Sequence, residues 1–185
     1  LTLSGSDGNL QIGGYGKGIF EQSGGAVTGN NWIVVGRYGP GGSGSLTVSG
    51  GNFCQNDPNN RLIIAEGGVG ALTVTNSGTL SLNGGLRIGM VKSAPPGDVG
   101  TGTGTVWLCQ GGTISTPEVR SLGGSSTFNF DGGLLAARGS QQTFSTFFQG
   151  LSAAYVRGGG TVIDSGNNAI TVSQSLLDGS IFLGI

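Results

Sequence analysis

Nine carboxylates, eight lysines or arginines and two cysteines are the residues of this chain with chemistry to offer, and there is no histidine. Without histidine there is no Ser-His-Asp or Cys-His catalysis, and the common His-ligated metal sites are excluded. Two cysteines do not by themselves complete a structural zinc site. The acids are Asp7, Glu21, Asp57, Glu66, Asp98, Glu118, Asp131, Asp164 and Asp178. Glycoside-cleaving enzymes and lyases need carboxylates gathered on one face. Only Asp131, in FNFDGG, and Asp164, in TVIDSG, occupy contexts that read as equivalent corners of successive repeats. Two carboxylates stacked there, about 5–8 Å apart, would suit an acid and a base. The plainer expectation is that each Asp accepts hydrogen bonds from turn N–H groups. Asp7-Gly8-Asn9 faintly resembles a calcium-binding nonapeptide, but that motif works by tandem repetition and here it occurs once. No catalytic residue, metal or cofactor is expected.

What must position these residues is a repeat. Residues 19–44 and 45–70 align without a gap as two 26-residue units. Each holds an alternating strand, a Ser-Gly-Gly turn, a second short strand, a polar turn, a third strand and a Gly-rich turn. Residues 1–18 match the later part of this unit, and 71–104 match it with an insertion. TVWLCQGG, TFNFDGG and TVIDSGN carry the mark onward, giving about seven rungs, the first partial. Third strands superpose with aliphatic pairs Leu10/Ile12, Ile33/Val35, Leu62/Ile64 and Leu86/Ile88. Period-two alternation sends those pairs inward and the middle residues Gln11, Val34, Ile63 and Arg87 outward. The next residue, Gly13, Gly36, Ala65 or Gly89, turns a corner where a Cβ is least tolerated. Constant unit length, equivalent residues at equivalent positions and short turns favour a solenoid over a β-sandwich. The fold class is therefore all-β: a right-handed parallel β-helix (β-solenoid) of about seven rungs of three short strands. At about 4.8 Å per rung the rod is roughly 30–35 Å long, a single domain over residues 1–185.

Stacking such rungs predicts neighbours. Arg37 should lie beside Glu66 on the next rung, an exposed pair worth about 0–1 kcal/mol. Tyr15 should stack on Tyr38, worth about 0.5–1.5 kcal/mol. Both contacts read as structural. Cys54 and Cys109 fall on different strands with a rung between them, beyond the roughly 7 Å Cα separation that a disulfide spans, so no intrachain bridge is expected. Two stretches depart from the template and are the natural recognition surfaces on a rigid scaffold: residues 90–103, an insert looping from a corner, and residues 138–150. For Phe144, Phe147 and Phe148 in the second, core or cap packing is expected of two.

Composition narrows the functions. Glycine supplies 41 of 185 residues without a three-residue period, so the chain is not collagen. Hydrophobic residues at 36% and charged residues at 9% describe an ordered chain. Net charge is −1 with no basic stripe, so nucleic acid is not an expected partner. No apolar run is long enough for a membrane-spanning helix. The chain starts at Leu1 without a signal peptide and reads as a mature or trimmed segment.

The first strands ending in Gly-Gly, the third strands ending in Ile-Gly, TFNFDGGLLAA and GGGTVIDSGNNAITVSQSL together resemble the autotransporter-associated β-strand repeat family. The resemblance covers nearly the whole chain and implies a parallel β-helix, export, and an extracellular or cell-surface role in a bacterium. The strand Leu1-Thr2-Leu3-Ser4 opens the chain and Ile181-Phe182-Leu183-Gly184-Ile185 closes it, with no cap evident at either. Leu1, Leu3, Ile181, Phe182, Leu183 and Ile185 are thus the expected assembly ends of a structural subunit that self-associates head-to-tail into a filament or array. A surface adhesin binding glycans is the alternative, and a polysaccharide-degrading enzyme stands behind both.

Overall fold

The computed structural model describes residues 1–3, 9–39, 41–93, 100–139 and 146–179. None of these is helical. The chain winds as stacked coils of about six turns, a β-solenoid whose strands pair in parallel with the strand one coil away. Three faces result. On the first, strands begin at Lys17, Ser43, Val69, Thr103, Ser125 and Ala153. On the second lie Thr79–Leu82, Thr113–Thr116, Leu134–Ala137 and Val162–Asp164. On the third lie Leu10–Ile12, Ile33–Val35, Leu62–Glu66, Leu86–Lys92, Val119–Leu122 and Phe148–Gln149. The first two faces share one sheet because Lys17–Gly29 and Ser43–Gln55 run unbroken through the corner between them. Their register slips around Ser23, where Gly25 takes φ +68.

In-register pairing turns each sequence position into a row along the rod. Phe20, Leu46, Leu72, Val106 and Phe128 are partners across five coils of the first face, and all but the half-buried Phe20 are 0% exposed. Ile33, Leu62, Leu86 and Val119 form the facing row on the third. With Val35, Ile64 and Ile88 they belong to one continuous core. Leu10 and Ile12 stand at its end, Ile12 buried and Leu10 half-buried. Each fully buried side chain of this size stabilises by about 1.5–3 kcal/mol, so the column of apolar rows is what holds coil on coil.

Both departures from the template take definite shapes. Within residues 90–103, Gly100 and Thr101 pair antiparallel with Lys92 and Val91, so the insert is a β-hairpin prolonging the third-face strand. Its tip, 94–99, lies outside the described residues. Within residues 138–150, Phe148–Gln149 is itself a third-face strand, paired with Val119 and Arg120. Phe148 packs at 5.4 and 5.6 Å from the ring centroids of Phe128 and Phe130, and Phe147 is also buried. Phe144 lies outside the described residues.

Candidate functional site

The third-face middle residues form an outward row, Gln11–Val34–Ile63–Arg87–Arg120, joined partner to partner. Alternation alone predicts them solvent-facing. Gln11 is exposed, but Val34, Ile63 and Arg87 are only 3%, 2% and 4% exposed. Arg87 is buried with its partner Glu118, while Val34 and Ile63 lie between residues of the flanking rows. Asn9 and Trp32 come from the residues entering the strands, and Arg37, Glu66 and Met90 from those leaving them. Together they bound a hollow of about 200 Å³ with Val34 and Ile63 as its floor.

One wall of the hollow is a charge network. Arg37 Nε donates to Glu66 Oε2 at 2.8 Å, across adjacent coils. Lys92, from the inserted hairpin, places Nζ 3.6 Å from the same oxygen. Tyr38 lies beneath both cations, its ring centroid 4.9 Å from the Arg37 guanidinium and 4.8 Å from Lys92 Nζ. Tyr15 stacks on Tyr38 at 4.2 Å and 17°. The structure thus brings the four expected contact residues into a single cluster and adds Lys92, Met90 and Trp32, which stacking arithmetic did not supply. Trp32 was legible as an aromatic preceding a strand. Lys92 was hidden because the hairpin's course could not be read from Gly, Ser and Pro.

The next part of the same row holds a buried ion pair. Arg87 Nη2 donates to Glu118 Oε1 on the following coil, with side chains 5% and 2% exposed. Burial pushes the Arg87 pKa down against the opposing pull of Glu118, and the nearby Arg120 and Arg61 add to the depression. Arg87 Nη1 and Glu118 Oε2 make no hydrogen bond among the described residues. Gly85, at φ +103, leaves the space, since a Cβ there would sit 2.9 Å from Glu118 Cγ. Such a pair contributes little net stability but is costly to break from one side.

The remaining expectations are placed as follows. Asp131 and Asp164 do not share a corner. Asp131 ends a first-face strand beside Cys109, whereas Asp164 ends a second-face strand beside Ala136. Each caps a turn instead: Asp131 Oδ1 accepts from Gly159 N at 2.8 Å and Asp164 Oδ1 from Gly166 N at 2.7 Å. The strand equivalent to TFNFD one coil on is Ala153–Val156, not TVID. Cys54 and Cys109 are free thiols. Burial, followed by the charge of Asp131, pushes the Cys109 thiol pKa up. Leu1 is 67% exposed and Leu3 half-buried, while the Leu1 ammonium donates to Ala26 O at 2.9 Å. Ile181, Phe182, Leu183 and Ile185 lie outside the described residues. Among those described, no group of three or more Cys, Asp or Glu side chains is placed to share a metal ion, and no helix is long and apolar enough to cross a membrane.

A second surface carries aromatics without offering them. Trp107, Asn129 and Tyr155 are partners on successive first-face coils. Arg157 lies over both rings, 5.5 Å from Trp107 and 4.7 Å from Tyr155. It donates to Asn129 Oδ1 through Nε and Nη2 and to Gly179 O through Nη1. The ring faces and the guanidinium satisfy one another, so this surface is a clasp between coils. Compared with protein-family models, with curated proteins and with solved structures, the chain gave no match.

Proposed function

We propose that this chain is a structural protein of the bacterial cell exterior, a β-solenoid unit that joins copies of itself edge-on into a filament or surface array. The observation that carries the reading is the strand over residues 17–22. On one side it pairs with the strand that begins at Ser43. On the other, the sole strand partner of Lys17–Gly29 among the described residues is Thr2–Leu3, which reaches only Thr28 and Gly29. Among the described residues the backbone N–H and C=O groups on that side of residues 17–22 have no strand partner, and an unpaired edge recruits a parallel strand unless blocked. Beside it the core rows surface: Phe20 and Leu10 are half-buried, and Ile19 is 61% exposed. A contact of that edge with the far end of another copy does not close on itself and propagates. The resemblance to autotransporter-associated repeats supports placement outside the cell.

Sedimentation velocity and electron microscopy over a concentration series test it. Rods lengthening with concentration are expected, and Ile19→Lys, which sets a charge on the edge, should return them to single units. Single units at every concentration would sink the proposal.

A further inference from the structure

We propose that the third-face hollow binds a small organic anion: an apolar body of one or two fused rings bearing a single carboxylate. The inference is independent of self-assembly, because the hollow lies on the side of the rod and not at its edge strand.

Three observations converge. The floor is apolar where the fold does not require it. Val34 and Ile63 point away from the core, in a row whose other members are Gln11, Arg87 and Arg120. Trp32, 40% exposed, and Met90 raise apolar walls beside them. The size is next. An apolar cavity of about 150 Å³ takes up benzene, and this hollow, at about 200 Å³, has room for a little more. Charge is the third. Among the described residues Arg37 and Lys92 face a single carboxylate, Glu66, so the cluster that borders the hollow carries one positive charge in excess. Both cations are held over the Tyr38 ring, which Tyr15 backs. A carboxylate at that rim would meet donors already in position, and charge-assisted hydrogen bonds are the stronger kind. A neutral saccharide suits the site less well, since the hydroxyls it sets against Val34, Ile63 and Met90 would find no partner there, leaving only Asn9, Arg37 and Glu66 to bond.

The probe is 1-naphthoate, with 1-naphthalenemethanol as its neutral isostere and glucuronate as the hydrophilic acid. In a Trp107→Phe background the remaining indole, Trp32, reports binding through its fluorescence. Saturable binding of naphthoate is expected, with the alcohol about tenfold weaker and naphthoate about tenfold weaker on Lys92→Gln. Circular dichroism of both variants checks that the fold persists, and salt should weaken the naphthoate complex alone. Equal binding of acid and alcohol would remove the rim from the proposal and overturn it. So would tighter binding of glucuronate, which makes the site a saccharide site. No binding of naphthoate at millimolar concentration, with the fold intact, leaves no site at all.

Discussion

Cys109 reports on its surroundings through one proton. It sits half-buried beside Asp131 on the neighbouring coil, and burial first, then the carboxylate's charge, raises its pKa. The folded chain therefore holds the neutral thiol where an unfolded chain, with a thiol pKa near 8.5, already ionises. Stability from this group is complete below that value and is lost as pH rises through the higher folded pKa. Alkylation of Cys109, followed by mass spectrometry, should show a rate midpoint above that of a cysteine model peptide, and Asp131→Asn should lower it. An unchanged midpoint in the variant would remove the carboxylate from the account. Legibility at this scale depended on the ungapped part of the repeat. Arg37, Glu66, Tyr15 and Tyr38 fall in its regular units, so counting from the corner glycines was enough to place them together. Asp131 and Asp164 fall where spacing drifts. Ala153 and Ala154 carry little strand signal, so in the sequence the second-face run TVID reads like the next first-face strand.

Among the elements, the third corner is the most demanding. Gly13, Gly36, Ala65 and Gly89 take φ of +71, +72, +71 and +63, a left-handed conformation that costs an L-residue about 1–2 kcal/mol. Glycine fills three of the four. Allowing about 0.5–1 kcal/mol for glycine's greater unfolded entropy, Ala65→Gly should stabilise by about 0.5–1 kcal/mol. Gly36→Ala adds a steric term, because its Cβ would lie 2.0 Å from Val69 O, and should destabilise by about 2–5 kcal/mol. Urea unfolding midpoints measure both, and a less stable Ala65→Gly would contradict the strain. The inward pairs of each strand were readable because alternation fixes which side chains face the core. The burial of Val34, Ile63 and Arg87 was not, since alternation says nothing of what lies beside an outward row, and Arg87 meets Glu118 only from the following coil. The hairpin was equally hidden, as Gly100 and Thr101 become a strand only through Lys92 and Val91.

For the whole molecule, composition and period were sufficient to name a solenoid, because a chain with so few charges and so regular a spacing can bury its apolar pairs by stacking coils. The coil count was less secure: the repeat loosens after residue 70 and the strand starts at Thr103, Ser125 and Ala153 follow no single interval. The parallel pairing of coil on coil in every face also decides how the rod bears load. Hydrogen bonds between coils run along the axis, so tension applied there meets the coil boundaries in series and the weakest yields first. Tension applied along the strands of one face meets its bonds in parallel and must shear them together. Held at opposite ends of the axis in an optical trap, the chain should unwind coil by coil at low force. Gripped at two points across one coil, it should resist to a higher force and then fail at once. A rod of this construction is tough across its width and yielding along its length, and it would lengthen under drag before it broke.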